Sequence, residues 1–160
     1  MELQVEALVK NYAMLPHPEG GWYKENYRSN RNIPLDENSR SLLTSIYFLL
    51  TSENVSRFHV LKSDELWYYH SGSALTVHCI SPKGEYYQLK IGPNFEAGEQ
   101  FQAVVPSGTI FGSTVDQKNQ YAMVGCAVAP GFDFEDFKLF TTAELLAKFP
   151  SHQTIIQKLT

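Results

Sequence analysis

One stretch of this chain gathers residues able to move a proton or to hold a ring-shaped ligand. It reads Arg57-Phe58-His59-Val60-Leu61-Lys62-Ser63-Asp64-Glu65-Leu66-Trp67-Tyr68-Tyr69-His70-Ser71-Gly72. His59 and Glu65 lie on two consecutive apolar runs, Ser56–Leu61 and Glu65–His70, that read as strands. A neutral imidazole beside a carboxylate can serve as a general base near neutral pH. Side chains alternate across a strand, so Glu65, Trp67 and Tyr69 share one face while His70 takes the other. Tyr23, Glu25 and Tyr27 share parity on a further run, Trp22–Tyr27. Aromatic walls of this kind suit a sugar or nucleoside ring, offering stacking area with few polar anchors. The competing reading is that His59 and Glu65 are hydrogen-bonded and chemically idle.

The elements that must position these residues are mostly short strands. Beyond the three already named, the runs Ser45–Leu50, Ala74–Ile80, Glu85–Ile91, Phe101–Val105, Ile110–Ser113, Ala122–Ala127 and Phe137–Leu139 read as strands separated by turn formers. Such spacing predicts a sandwich or barrel. Both ends read as helix. Val5, Leu8, Val9, Tyr12 and Leu15 recur at helical spacing before Pro16, and Thr141-Thr142-Ala143-Glu144 matches a capping box ahead of an apolar turn. A last short helix from about Gln153 would bury Ile155, Ile156 and Leu159. The segment Asn30–Ser39 reads as the most mobile loop, and His17–Gly21 as a turn-rich connection. The acidic cluster Asp133, Glu135 and Asp136 reads as a solvated turn, with either Asp able to orient a barrel His.

Composition sets further bounds. A chain of 160 residues, 43% hydrophobic and 19% charged, fits one domain with a real core. Its net charge of −4 argues against phosphate-mediated nucleic-acid binding. No apolar run approaches the roughly 20 residues of a membrane helix. The N-terminal sequence lacks the order of a signal peptide, so the expected location is the cytoplasm. Cys79 and Cys126 sit inside apolar runs without metal-binding spacing and are expected to be reduced core thiols.

His59, Glu65 and Gly72 resemble the first motif of the cupin superfamily, H-x-H, three or four residues, E, six residues, G, with Leu61 at the second His position. Pro106-Ser107-Gly108-Thr109-Ile110-Phe111 is similar to the second motif, P-x-G-x-x-H, with Phe111 in place of its His. His17–Glu25 and Pro130–Phe137 look like the opening and closing signatures of one family of small bacterial and fungal cupins of unknown function. The resemblance implies an all-β fold: a cupin double-stranded β-helix, or jelly-roll barrel, with an N-terminal helix and short C-terminal helices. Residues 1–160 would form a single cupin domain with its barrel core at about 22–139. It also implies a homodimer, and it places Phe111 beside His59, Trp67 and Tyr69 in the barrel mouth.

Cupin metal sites use three His and one carboxylate. Leu61 and Phe111 stand where two of those imidazoles would be and carry no lone pair, while zinc or iron needs about three protein donors. No tightly held cofactor is therefore expected. A divalent metal at His59 and Glu65, completed by His70 or His78, is the lesser alternative. A second resemblance is to the metal-free deoxysugar 3,5-epimerases. Gly20-Gly21-Trp22-Tyr23-Lys24-Glu25 is similar to their R-G-F-F-x-E pattern, and Arg57-Phe58-His59 is a loose counterpart of R-G-x-H. The leading expectation is binding of a small polar, sugar-like metabolite, with Tyr23, Glu25, Tyr27, Arg57, Trp67 and Phe111 as ligand contacts. The alternative is an isomerase or epimerase with His59 as base, Glu65 beside it, and Tyr69 or Tyr23 as acid.

Overall fold

Alternating apolar residues pair into two antiparallel sheets in the computed structural model, which describes residues 1–160. The strands are β1 (Leu15–Pro16), β2 (Trp22–Arg28), β3 (Asn32–Leu35), β4 (Asn38–Ser41), β5 (Thr44–Thr51), β6 (Ser56–Val60) and β7 (Asp64–Gly72). They continue with β8 (Leu75–Ile80), β9 (Tyr86–Ile91), β10 (Gln102–Val105), β11 (Ile110–Val115), β12 (Tyr121–Ala129) and β13 (Lys138–Leu139). One sheet has the order β1-β2-β5-β12-β7-β10 and the other β13-β6-β11-β8-β9. The inward residues of both make a common core, with Phe48, Leu50, Trp67, Val124 and Cys126 from the first facing Leu75, Val77, Cys79 and Phe111 from the second. This is the jelly-roll arrangement expected from the sequence, in which two sheets bury one face each.

Helices cover the outer faces. Helix α1 (Glu2–Asn11) sets Val5 against Leu49, Tyr121 and Met123 on the first sheet. Helices α2 (Thr142–Lys148) and α3 (Gln153–Lys158) bring Leu145, Ile156 and Leu159 onto Phe58, Ile80 and Ile110 of the second. The Thr141–Glu144 capping box forms as its spacing predicts. Helix α1 stops short of Leu15: Ala13 takes a left-handed φ of 49°, and Leu15 enters strand β1 with its side chain exposed.

Two local features depart from the sequence reading. Residues 30–39 are not simply a loop, for they contain most of a hairpin, β3 against β4, turning at Asp36-Glu37. Its stabiliser is Arg40, whose buried guanidinium pairs with Asp136, so that Asp is no solvated turn residue. Strand β2 also carries a register shift between Glu25 and Tyr27 against β5. The extra residue, Asn26, reverses the alternation beyond it, as a β-bulge does. Glu25 stays on the inner face, Tyr27 swings out to 52% exposure, and Arg28 takes the inward place.

The C-terminal helices should therefore contribute to global stability through a small and separate core. Ile156→Val removes one methyl group from a fully buried site and is expected to cost about 0.5–1.5 kcal/mol. Urea denaturation checks this, and an unchanged midpoint would mean that α3 is not part of the cooperative unit.

Candidate functional site

Between the two sheets, at the end where β2, β5, β6, β7 and β12 approach the segment after β12, lies a cavity of about 380 Å³. Its apolar wall is made by Tyr23, Ile46, Phe48, Leu61, Trp67 and Val128, with Phe132 and Phe134 closing it from the segment after β12. His17, Glu19, His59 and Glu65 line it too, and Glu25, Arg28 and Asp133 bring charge to it. The volume falls in the usual range for small-molecule sites.

His59 is aimed by its own strand. Its Nδ1 lies 2.7 Å from the Arg57 carbonyl, which can only accept, so Nδ1 carries the proton and Nε2 presents its lone pair in the neutral ring. That lone pair faces Glu19 Oε2 at 3.1 Å. The other Glu19 oxygen accepts from Ser56 Oγ at 2.8 Å. The backbone N–H of Glu19 donates to His17 Nδ1 at 3.2 Å, which leaves the proton of neutral His17 on Nε2. The Gly20-Gly21 pair makes the bend that delivers Glu19. Both have positive φ, 117° and 72°, and a Cβ at Gly20 would strike the Val55 carbonyl.

Burial decides the protonation of this group. Desolvation pushes the His59 imidazole down to about 4, with the hydrogen bond to Arg57 opposing it. Desolvation raises Glu19, against the opposing effects of His17, Ser56 and Arg57. Two lone pairs do not approach to 3.1 Å unaided, so one proton lies between Glu19 Oε2 and His59 Nε2. Glu65 is pushed up to about 8, first by burial and then by the nearby Glu19, while the Cys126 thiol works in the other direction. It is protonated at neutral pH. His17 is lowered by burial, with Glu19 opposing, and rests among the rings of Tyr23, Phe48, Phe132, Phe134 and Phe137.

Of the residues singled out from sequence, His59, Glu65, Trp67, Tyr23 and Glu25 meet at the cavity. His59 and Glu65 do not pair with each other, since the partner of His59 is Glu19. Phe111 lies behind, its ring 4.2 Å from that of His59 and 6.4 Å from that of Trp67. Tyr69 packs against the core beyond the cavity and donates to the Gly72 carbonyl at 2.7 Å. Tyr27 faces out because of the bulge, and Arg57 is exposed with its guanidinium on the Pro18 carbonyl. A register shift also occurs at His70, yet His70 stays outside, against Tyr47 and Gly125. His78 lies away from the cavity, bonded to Tyr86 and Thr114. His17, Glu19, Arg28, Phe132 and Phe134 are the site residues that strand parity did not single out, although all but Arg28 lie in the segments that resemble the family's opening and closing signatures.

The pattern that defines the cupin superfamily family DUF985 matches residues 6–140. The chain belongs to the DUF985 cupins. Protein SO0799 of Shewanella oneidensis, known from a crystal structure, is 44% identical to this cupin, with a TM-score of 0.89 over 97% of this chain and 96% of its own. A hypothetical protein from Leishmania major is 40% identical, with a TM-score of 0.91 over 97% of each chain. The uncharacterized protein YML079W of Saccharomyces cerevisiae is 27% identical over 147 residues, 82% of this chain and 73% of its own. Oxalate decarboxylase of Bacillus subtilis shares the fold alone, at 18% identity and a TM-score of 0.58 over 91% of this cupin and 36% of that chain.

The donor set of this cupin does not fit a metal centre of three imidazoles and a carboxylate. Leu61 and Phe111 offer hydrocarbon at two of the ligand positions, both nitrogens of His59 are engaged within the protein, and no three His, Cys, Asp or Glu residues are grouped to hold an ion.

The raised carboxyl has a measurable consequence. Between about 4.5 and about 8 the folded protein holds a proton on Glu65 that the unfolded chain releases, so its contribution to stability falls as pH rises, by up to about 1.4 kcal/mol per pH unit. His59 has the opposite sign, but only between about 4 and 6.5. Above about 6.5 the loss due to Glu65 is no longer offset. Glu65→Gln is expected to flatten the decline between about pH 6.5 and pH 8 in urea titrations. An unaltered slope would show that Glu65 is already ionised there.

Proposed function

We propose that this cupin binds a small, neutral, sugar-like metabolite in the barrel, without a tightly held metal. The observation that carries the reading is the pairing of aromatic walls with His59 and Glu65, both held uncharged by burial, and with Glu19, which shares one proton with His59. An uncharged carboxyl such as that of Glu65 serves as hydrogen-bond donor and acceptor for hydroxyls, while His59, with both nitrogens engaged, holds Glu19 in place, and ring faces such as those of Tyr23 and Trp67 stack on the C–H face of a sugar. Trp67 Nε1 is also a buried donor without a partner. Charge at the cavity is already compensated: Arg28 makes a bidentate pair with Glu25 at 2.9 and 2.7 Å, and Asp133 adds a further negative group. An anionic ligand would meet repulsion there.

A second reading, proton-transfer isomerisation of the same ligand, is favoured by the single proton held between Glu19 and His59. With that proton on His59 Nε2, the Glu19 carboxylate can take a proton from a carbon next to the ligand carbonyl. The C–H electron pair becomes the enolate double bond, and the Glu65 carboxyl donates its proton to the enolate oxygen. Return of a proton to the neighbouring carbon, and of the hydroxyl proton to Glu65, completes the isomerisation without oxidant or cofactor.

Thermal shift against neutral free sugars, nucleosides and sugar phosphates, followed by deuterium uptake from D2O into any sugar that binds, tests both readings. Neutral sugars are expected to stabilise, by about 2.7 kcal/mol at a hundred times the dissociation constant. Sugar phosphates giving the only shift would overturn the neutral-ligand reading. Glu19→Gln is expected to keep the thermal shift and to slow uptake by about 10²-fold or more. Wild-type protein that binds a reducing sugar without exchanging its carbon-bound protons is a binder and not an isomerase.

A further inference from the structure

We infer that Arg40 is a positioning residue: from the β3–β4 hairpin it straps the segment after β12 against the barrel and keeps the outer wall of the cavity in place. A two-stranded hairpin is marginal in water, and β3–β4 is hydrogen-bonded as a strand to neither large sheet. Its anchor is the side chain of Arg40, only 7% exposed on a strand whose preceding residues are open to solvent. Nε donates to Asp136 Oδ2 at 2.7 Å and Nη2 to Oδ1 at 3.1 Å, a planar bidentate pair that lysine cannot reproduce. Nη2 also reaches Glu135 Oε2 at 3.0 Å, and Nη1 donates to the Ser39 carbonyl at 3.0 Å. The Asp136 side chain is likewise 7% exposed.

The hairpin and its surroundings grip the wall at a second point. The Gly131 N–H donates to the Ser41 carbonyl at 2.7 Å, and a Cβ at Gly131 would lie 2.9 Å from that oxygen, so backbone meets backbone with no slack. Next to it the Phe132 N–H donates to Thr44 Oγ1 at 2.8 Å. Between this seam and the Arg40–Asp136 pair hang Phe132, Asp133 and Phe134, the part of the segment that lines the cavity. The Lys62–Asp36 pair at the hairpin tip is exposed on both sides and adds little tension. Loss of the Arg40 guanidinium leaves the Asp136 carboxylate buried without a partner. To regain water it must move outward, and the wall moves with it, opening a path to Trp67, which lines the cavity and is 1% exposed.

Acrylamide quenching reads this movement without any knowledge of the ligand. In a Trp22→Phe background Trp67 is the sole tryptophan of the chain. Arg40→Met is expected to raise the quenching constant of Trp67 several-fold, Arg40→Lys to give an intermediate value, and Asp136→Asn to raise it in the same direction if Arg40→Met does not fold. Ile156→Val, which loosens the remote helical core, is expected to leave quenching at the parent value. Equal quenching in parent, Arg40→Met and Asp136→Asn would overturn the strap. So would a rise in Ile156→Val as large as in the Arg40 variants, since it would mark global loosening.

Discussion

A carboxyl and an imidazole 3.1 Å apart and withdrawn from water must share one proton, and the architecture of this cupin is arranged around that constraint. The imidazole is fixed from its own strand by the Arg57 carbonyl, the carboxyl from a bend that only glycine can make, and its second oxygen from Ser56. Each tie removes a freedom that water would otherwise supply. A buried polar network is stable only when its members are satisfied, so the opening segment, β6 and the floor of the cavity form one unit. Glu65 then feels Glu19 across the same space and keeps its own proton.

The helices stand apart from this chemistry. Helix α1 and the pair α2–α3 each bury a small apolar cluster on an outer sheet face, and neither contributes a residue to the cavity. Covering the sheets from outside leaves the barrel interior free to hold polar groups, whose desolvation is met by the inner core of aromatic and branched residues.

The strands were legible because a half-buried strand writes its period into the chain, and nearly every predicted run from Trp22 to Leu139 is a strand within a few residues. The capping box at Thr141 and the buried free thiols at Cys79 and Cys126 were legible for similar local reasons. What escaped was decided by distant partners. His59 finds Glu19 forty positions upstream. Arg40 meets Asp136 ninety-six positions away, and without that pair its hairpin reads as loop. The extra residue at Asn26 is set by pairing with β5 and leaves no mark in the composition of β2. Parity counted from Tyr23 therefore failed after Glu25.

That one unpaired residue makes the mouth of the cavity tolerant of a change in the length of β2. Loss of a single codon at Asn26 would close the bulge and leave Tyr27 opposite Ser45 and Arg28 opposite Thr44, so the aromatic ring stays outward and the guanidinium inward. The cavity would keep its charged threshold through that mutational step. Substitutions at Tyr27 and Arg28, more than loss of Asn26, are thus the changes by which relatives of this chain could diverge in what they admit.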